Sequence, residues 1–167
     1  MKTNGSVYVA AVFAALVGYF VYQWWFNPNR MVKARLGDMA AALSIPAAES
    51  GVNRLARLAQ LRTLATPDFH LKAAQRGLDL TSRDAAIAAI GALAPPPAGW
   101  NVDFVDADVR GGSDDSARAY VTANVTTRDP QANQQAPDSR DVVFSFVRQD
   151  GKWLVREAEI KEPPKTK

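Results

Sequence analysis

The chain has no cysteine and a single histidine, His70, among its 167 residues. Without cysteine there is no disulfide, no thiolate nucleophile and no thiolate-bound metal. One histidine leaves no cluster at zinc-ligand spacing, and no loop carries the spaced oxygen ligands of a calcium site, so neither metal nor cofactor is expected. No basic run is interleaved with aromatic residues for base stacking, which argues against nucleic acid. Gly111-Gly112 opens no helix and is therefore no phosphate cradle. Charge is missing as well over residues 6–26, SVYVAAVFAALVGYFVYQWWF, and only Lys2 and the amino terminus precede that run.

At about 1.5 Å of rise per residue such a run is roughly 30 Å long as a helix, the thickness of a hydrocarbon core. Its end, Gln23-Trp24-Trp25-Phe26-Asn27-Pro28, is bulky where a signal peptidase needs small side chains. The expectation is an uncleaved single-pass anchor over 1–27, with Tyr22, Trp24 and Trp25 as interfacial anchors. Ala10, Ala14 and Gly18 recur every four residues and form a candidate helix-packing seam. Arg30, Lys33 and Arg35 come next as candidate contacts to lipid headgroups or a partner. Read literally these charges favour a cytoplasmic domain, whereas the short amino-terminal tail also fits an anchor that exports its carboxy-terminal domain.

The charge is uneven. Residues 1–83 hold ten basic and four acidic side chains, net +6, and residues 84–167 hold ten and thirteen, net −3. Asn27-Pro28 is a helix-start signal for a juxtamembrane helix within 28–46. A second helical stripe runs through Val52, Leu55, Leu58, Leu61 and Leu64 to Thr66-Pro67. Phe69, Leu71 and Ala73 alternate as a strand, and Thr81, Ser82 or Asp84 can start a third helix that Pro95-Pro96-Pro97 ends. The period then becomes two. Trp100, Val102 and Phe104 are in one phase and Val105, Ala107 and Val109 in the other, which predicts a bulge near Phe104–Asp106. Ala117 to Val125 and Val142 to Phe146 alternate cleanly, and Asp150-Gly151 is a hairpin turn. Arg118, Tyr120, Thr122, Asn124 and Thr126 share the face opposite the alanines and valines.

That order resembles the cone-shaped α+β fold of the nuclear transport factor 2-like superfamily, also called SnoaL-like or cystatin-like. The stretches that carry it are Leu55-Ala56-Arg57-Leu58 through Leu64-Ala65-Thr66-Pro67-Asp68-Phe69, and the terminal hairpin Val142–Ile160 with its Asp150-Gly151-Lys152-Trp153 turn. The resemblance implies an α+β domain of about three helices on a curved antiparallel sheet over 47–161, behind the transmembrane helix, with a tail over 162–167. It also implies dimerisation through the sheet. Superfamily members include enzymes, ligand pockets and membrane-tethered scaffold domains of secretion machines, which tilts the expected location to a periplasmic domain on the inner membrane.

Chemistry is thin. His70 opposes Phe69 and Leu71 and has only Asp68 nearby as an orienting carboxylate. Among Asp103, Asp106 and Asp108, the bulge makes Asp106 the best candidate for an inward acid. Trp100, Asp106 and Tyr120 are candidate pocket residues, and no catalytic residue is assigned. The expected function is a non-enzymatic accessory subunit that packs on a larger integral membrane complex. The alternatives are a pocket for an apolar small molecule or lipid, or an isomerase or hydratase using Asp106.

Overall fold

The computed structural model describes residues 12–21, 27–73, 77–94, 97–127 and 138–161. Helix α1 (residues 12–21) precedes α2 (Pro28–Leu43), α3 (Gly51–Leu64), β1 (Ala65–Ala73), β2 (Leu78–Leu80) and α4 (Arg83–Ala92). Strands β3 (Trp100–Ser113), β4 (Ser116–Thr127), β5 (Asp138–Gln149) and β6 (Lys152–Ile160) complete the order. The α+β class is as expected, and the membrane helix is not. Among the described residues no helix is long and apolar enough to cross a membrane. The single-pass anchor is thereby corrected, and with it the inner-membrane location and the periplasmic placement. Ala10, Tyr22, Trp24 and Trp25 lie outside the described residues, while Ala14 and Gly18 are exposed on α1.

Local chemistry sets the helix ends. Asn27 Oδ1 accepts from Asn29 N at 3.0 Å with Pro28 in the first turn, and Ser50 and Ser82 cap α3 and α4 in the same way at 3.2 Å each. The six strands form one sheet in the order β2-β1-β6-β5-β4-β3. It is mixed, because β1 runs parallel to β6 while every other pair is antiparallel. Helices cover one face. Val32, Leu36 and Met39 of α2 and Leu61 and Leu64 of α3 pack with Val109, Ala119, Phe144, Phe146, Trp153 and Val155 of the sheet. Phe144 meets Phe104 edge-on at 5.3 Å.

Strands β3 and β6 slip phase. On β3, Val105 pairs with Thr122 and Asp108 with Tyr120, so three residues of advance face two on β4. Asp106 takes up the excess in the left-handed region, at φ 52°. On β6, Val155 pairs with Phe146 but Glu157 with Ser145, which leaves Arg156 as the extra residue. Asp150 and Gly151, at φ 50° and 75°, make the tight β5–β6 hairpin.

Two ties fix the end of α2, one to α3 and one to the sheet. Arg57 grips Glu49 through Nε–Oε1 (2.7 Å) and Nη2–Oε2 (3.2 Å), and donates to the Ala42 carbonyl (3.2 Å) at the end of α2. Both side chains are only 8% exposed. At the other tie, Ile45 and Trp100 exchange two backbone hydrogen bonds of 2.9 Å, and the Trp100 indole donates to Leu43 O at 2.8 Å. Gly99, at φ 72°, comes so close to this bridge that a Cβ there would lie 2.2 Å from Ile45 O.

Gly99→Ala therefore combines left-handed strain with a clash on backbone and should cost at least about 2 kcal/mol, read as a lower Tm in thermal unfolding. The guanidinium of Arg57 holds the Glu49 carboxyl below its usual 4.5, first by hydrogen bonding, against the opposing effect of burial. A carboxyl depressed on folding stabilises above its unfolded value, and that stabilisation is lost as pH falls through the folded one. Glu49→Gln, which leaves Arg57 buried without its counter-charge, should cost about 3 kcal/mol at neutral pH. The gap to the parent protein should shrink below pH 4 in urea titrations.

Candidate functional site

Two depressions formed by the described residues bear on a site. One, of about 520 Å³, lies between α2 and β3, lined by Lys33, Gly37, Ala40, Asp103, Phe104 and Ala107 among others. The other, of about 660 Å³, lies on the face of the sheet that the helices leave open. Strand register builds the second one. His70 of β1 stands beside Glu157 of β6, Glu157 opposite Ser145 of β5, Ser145 opposite Arg118 of β4, and Arg118 opposite Arg110 of β3. This single row crosses five strands on one face. The next row carries Lys72, Glu159, Val143, Tyr120 and Asp108.

Diagonal contacts tie the rows together. Lys72 Nζ donates to Glu157 Oε1 at 2.8 Å, and the Arg110 guanidinium lies over the Tyr120 ring at 4.9 Å. Arg110 also reaches Asp108 at 2.8 Å. The β6 bulge turns Arg156 and Glu157 to the same face, so Arg156 meets Asp68 at 3.3 Å while Glu157 stays in the row. The Lys72 hydrogen bond holds the Glu157 carboxyl below the usual carboxylate range, helped by the charges of Lys72, His70 and Arg118 and opposed by desolvation. The same contact raises Lys72.

The residues singled out from the sequence are not gathered in one place. Tyr120 lies on the open face beside Arg110. Asp106 is exposed on the β3 bulge. Trp100 is half-buried at the α2–β3 joint, where its indole caps a helix carbonyl. Arg30 and Lys33 are exposed on α2, and Arg35 pairs with Asp38 at 3.4 Å. Sequence reasoning passed over Arg110, Ser145, Arg156 and Glu157. A signal existed for the last two, since Val155 and Ala158 are both buried but three residues apart, a spacing that a period-two strand accommodates only with a bulge. Among the described residues, no group of His, Asp or Glu side chains is placed to hold a metal ion.

Arg110 and Arg118 stand directly opposite each other, and like charges in such pairs cost about 0.2–1 kcal/mol. Arg118→Thr should therefore leave stability unchanged or raise it by up to about 0.5 kcal/mol in urea unfolding. A loss beyond about 1 kcal/mol would make Arg118 a structural residue instead.

No protein-family model matches the chain, and no curated protein matches it. Solved structures do. An uncharacterised protein with a cystatin-like fold from Caulobacter vibrioides superposes with a TM-score of 0.58 at 17% identity, over 80% of this chain and 89% of its own. A protein provisionally named a scytalone dehydratase, from Novosphingobium aromaticivorans, gives 0.56 at 16%, over 79% and 81%. One provisionally named a ketosteroid isomerase, from Shewanella frigidimarina, gives 0.53 at 12%, over 77% and 92%. At such identities the likeness is one of fold, and the fold of this chain is the nuclear transport factor 2-like, or cystatin-like, α+β cone.

Proposed function

We propose that this chain is a small-molecule binding domain whose ligand sits in the open-face cleft rather than between helices and sheet. The observation that carries this reading is the contrast between the two faces. The covered face is filled by apolar side chains, with Val32, Ala119, Phe146 and Trp153 at most 1% exposed. The open face gathers Asp68, His70, Lys72, Arg110, Arg118, Arg156 and Glu157 around one depression. Binding sites combine a concavity with a few convergent polar groups, and the open-face depression gathers more charged side chains than the one between α2 and β3.

A second reading has one observation in its favour. His70 and Glu157 are adjacent in register, and an imidazole beside a carboxylate is the kind of pair that acid–base chemistry draws on. The neighbours named for a dehydratase and an isomerase make that reading worth testing with Glu157→Gln, which would abolish turnover of a candidate substrate while leaving its binding largely intact.

The test of the first reading is a metabolite screen followed by amide shifts in the NMR spectrum of the full chain. Ligands should move Arg118, Ser145 and Glu157. Shifts confined to Leu36, Met39 and Phe144 would place the ligand in the interior and refute the proposal.

A further inference from the structure

We propose that the open-face cleft recognises an oxyanion, a carboxylate or phosphate group on a small molecule, with Arg118 as its anchor. This rests on the reading of the cleft as a ligand site and specifies what that site takes.

The first support is the charge balance. Lys72, Arg110, Arg118 and Arg156 line the cleft, and the carboxylates that meet them are Asp68, Glu157 and Asp108, an excess of one cation before His70 is counted. The second is how those charges are paired. Arg156 has Asp68, Lys72 has Glu157 and Arg110 has Asp108. Arg118 makes no hydrogen bond or ion pair with any described residue and acts on Glu157 only through its field. An arginine at the centre of a concave site with its fork unoccupied presents five donors and no acceptor.

The third support is geometry. Arg110, held over the Tyr120 ring and tied to Asp108, is restrained on the strand next to Arg118. The unoccupied fork of Arg118 can take two oxygens, the bidentate geometry that favours arginine over lysine for carboxylates and phosphates, while Arg110, with Nε and Nη2 on Asp108, adds positive charge beside it. Ser145, opposite Arg118 in register, adds a hydroxyl on the side away from Arg110. The cost of opposing two arginines in the free protein is then offset when a shared anion sits between them. A cleft of about 660 Å³ has room for the body of a small molecule besides its charged group.

The experiment is isothermal titration of the full chain at low ionic strength with succinate, with glycerol 3-phosphate and with glycerol, each mapped by amide shifts. At least one of the two anions should bind, move the amides of Arg110, Arg118 and Ser145, and weaken as salt is added. Arg118→Gln, with an unchanged melting temperature, should lose about tenfold or more in affinity, and Arg118→Lys should fall between. Preference for succinate assigns a carboxylate ligand, and preference for glycerol 3-phosphate assigns a phosphate. Affinity for both anions equal in the parent protein and Arg118→Gln overturns the proposal. If uncharged compounds from the metabolite screen still move the cleft amides in that event, the ligand site stands and only its oxyanion preference falls. If nothing moves them, both fall together.

Discussion

A sheet covered by helices on one face must keep the apolar residues of every strand in a single phase, and the sequences of β3 and β6 break that rule. On β3 the inward positions are Val102 and Phe104, then Ala107 and Val109; on β6 they are Trp153 and Val155, then Ala158 and Ile160. Each break is a step of three where the pleat allows two. Without a bulge, half of each strand would turn its core residues to water. The bulges restore the phase, and each leaves a surplus residue on the surface. On β3 the surplus includes Asp106, exposed near the sheet edge. On β6 it is Arg156, delivered next to Glu157. Core packing and the charge array of the open face thus arise from the same backbone irregularity.

The covered face explains why this cone does not read as an interior pocket. Phe104, Phe144, Phe146 and Trp153 occupy the space over the sheet, and interiors packed to this degree leave little room for a ligand. Arg57 and Ser44, beneath the helices, are tied up in structure. Arg57 commits its donors to Glu49 and the Ala42 carbonyl. Ser44 accepts from Val102 N at 2.9 Å and donates to Ala40 O at 2.8 Å. Both bind the end of α2, one to α3 and one to β3, so removing either loosens the joint rather than a site. The aspartates of β3 fit the same structural account. Asp103, Asp106 and Asp108 sit along an edge strand, where charge and a bulge discourage pairing with another chain.

Much of this was legible in the sequence wherever the signal is local. Asn27-Pro28, Ser82 and Asp150-Gly151 act as read, because caps and tight turns depend on a few neighbouring residues. The β3 bulge lies within a residue or two of where the phase slip puts it. The shared face of Arg118 and Tyr120 comes from alternation alone. What was not legible is pairing. Nothing within β1 says that it runs parallel to β6, so the meeting of His70, Lys72 and Glu157 needed the register. The apolar run at the amino terminus misled for the complementary reason. Composition shows that residues 6–26 could span a bilayer as one helix, whereas among the described residues no helix is long and apolar enough to do so.

Charged residues on a solvent-facing sheet need no function by themselves, and the force of the open-face array comes from a contrast along one strand. At one end of β4, Thr122 donates to Asp141 at 3.1 Å, and Asn124 accepts from Ser139 at 2.7 Å. These are short cross-strand pairs that satisfy each other and stiffen the sheet. At the other end the same face carries Arg118 opposite Arg110, with no neutralising partner for Arg118 among the described residues. Surface chemistry that merely kept the sheet soluble could have continued the Thr and Asn ladder at lower electrostatic cost. The ladder instead stops where the depression begins, and the bulge on β6 brings a further cation, Arg156, to the same place. Stability is set aside at this end of β4, which is the pattern expected where a binding site and a fold make opposing demands on the same residues.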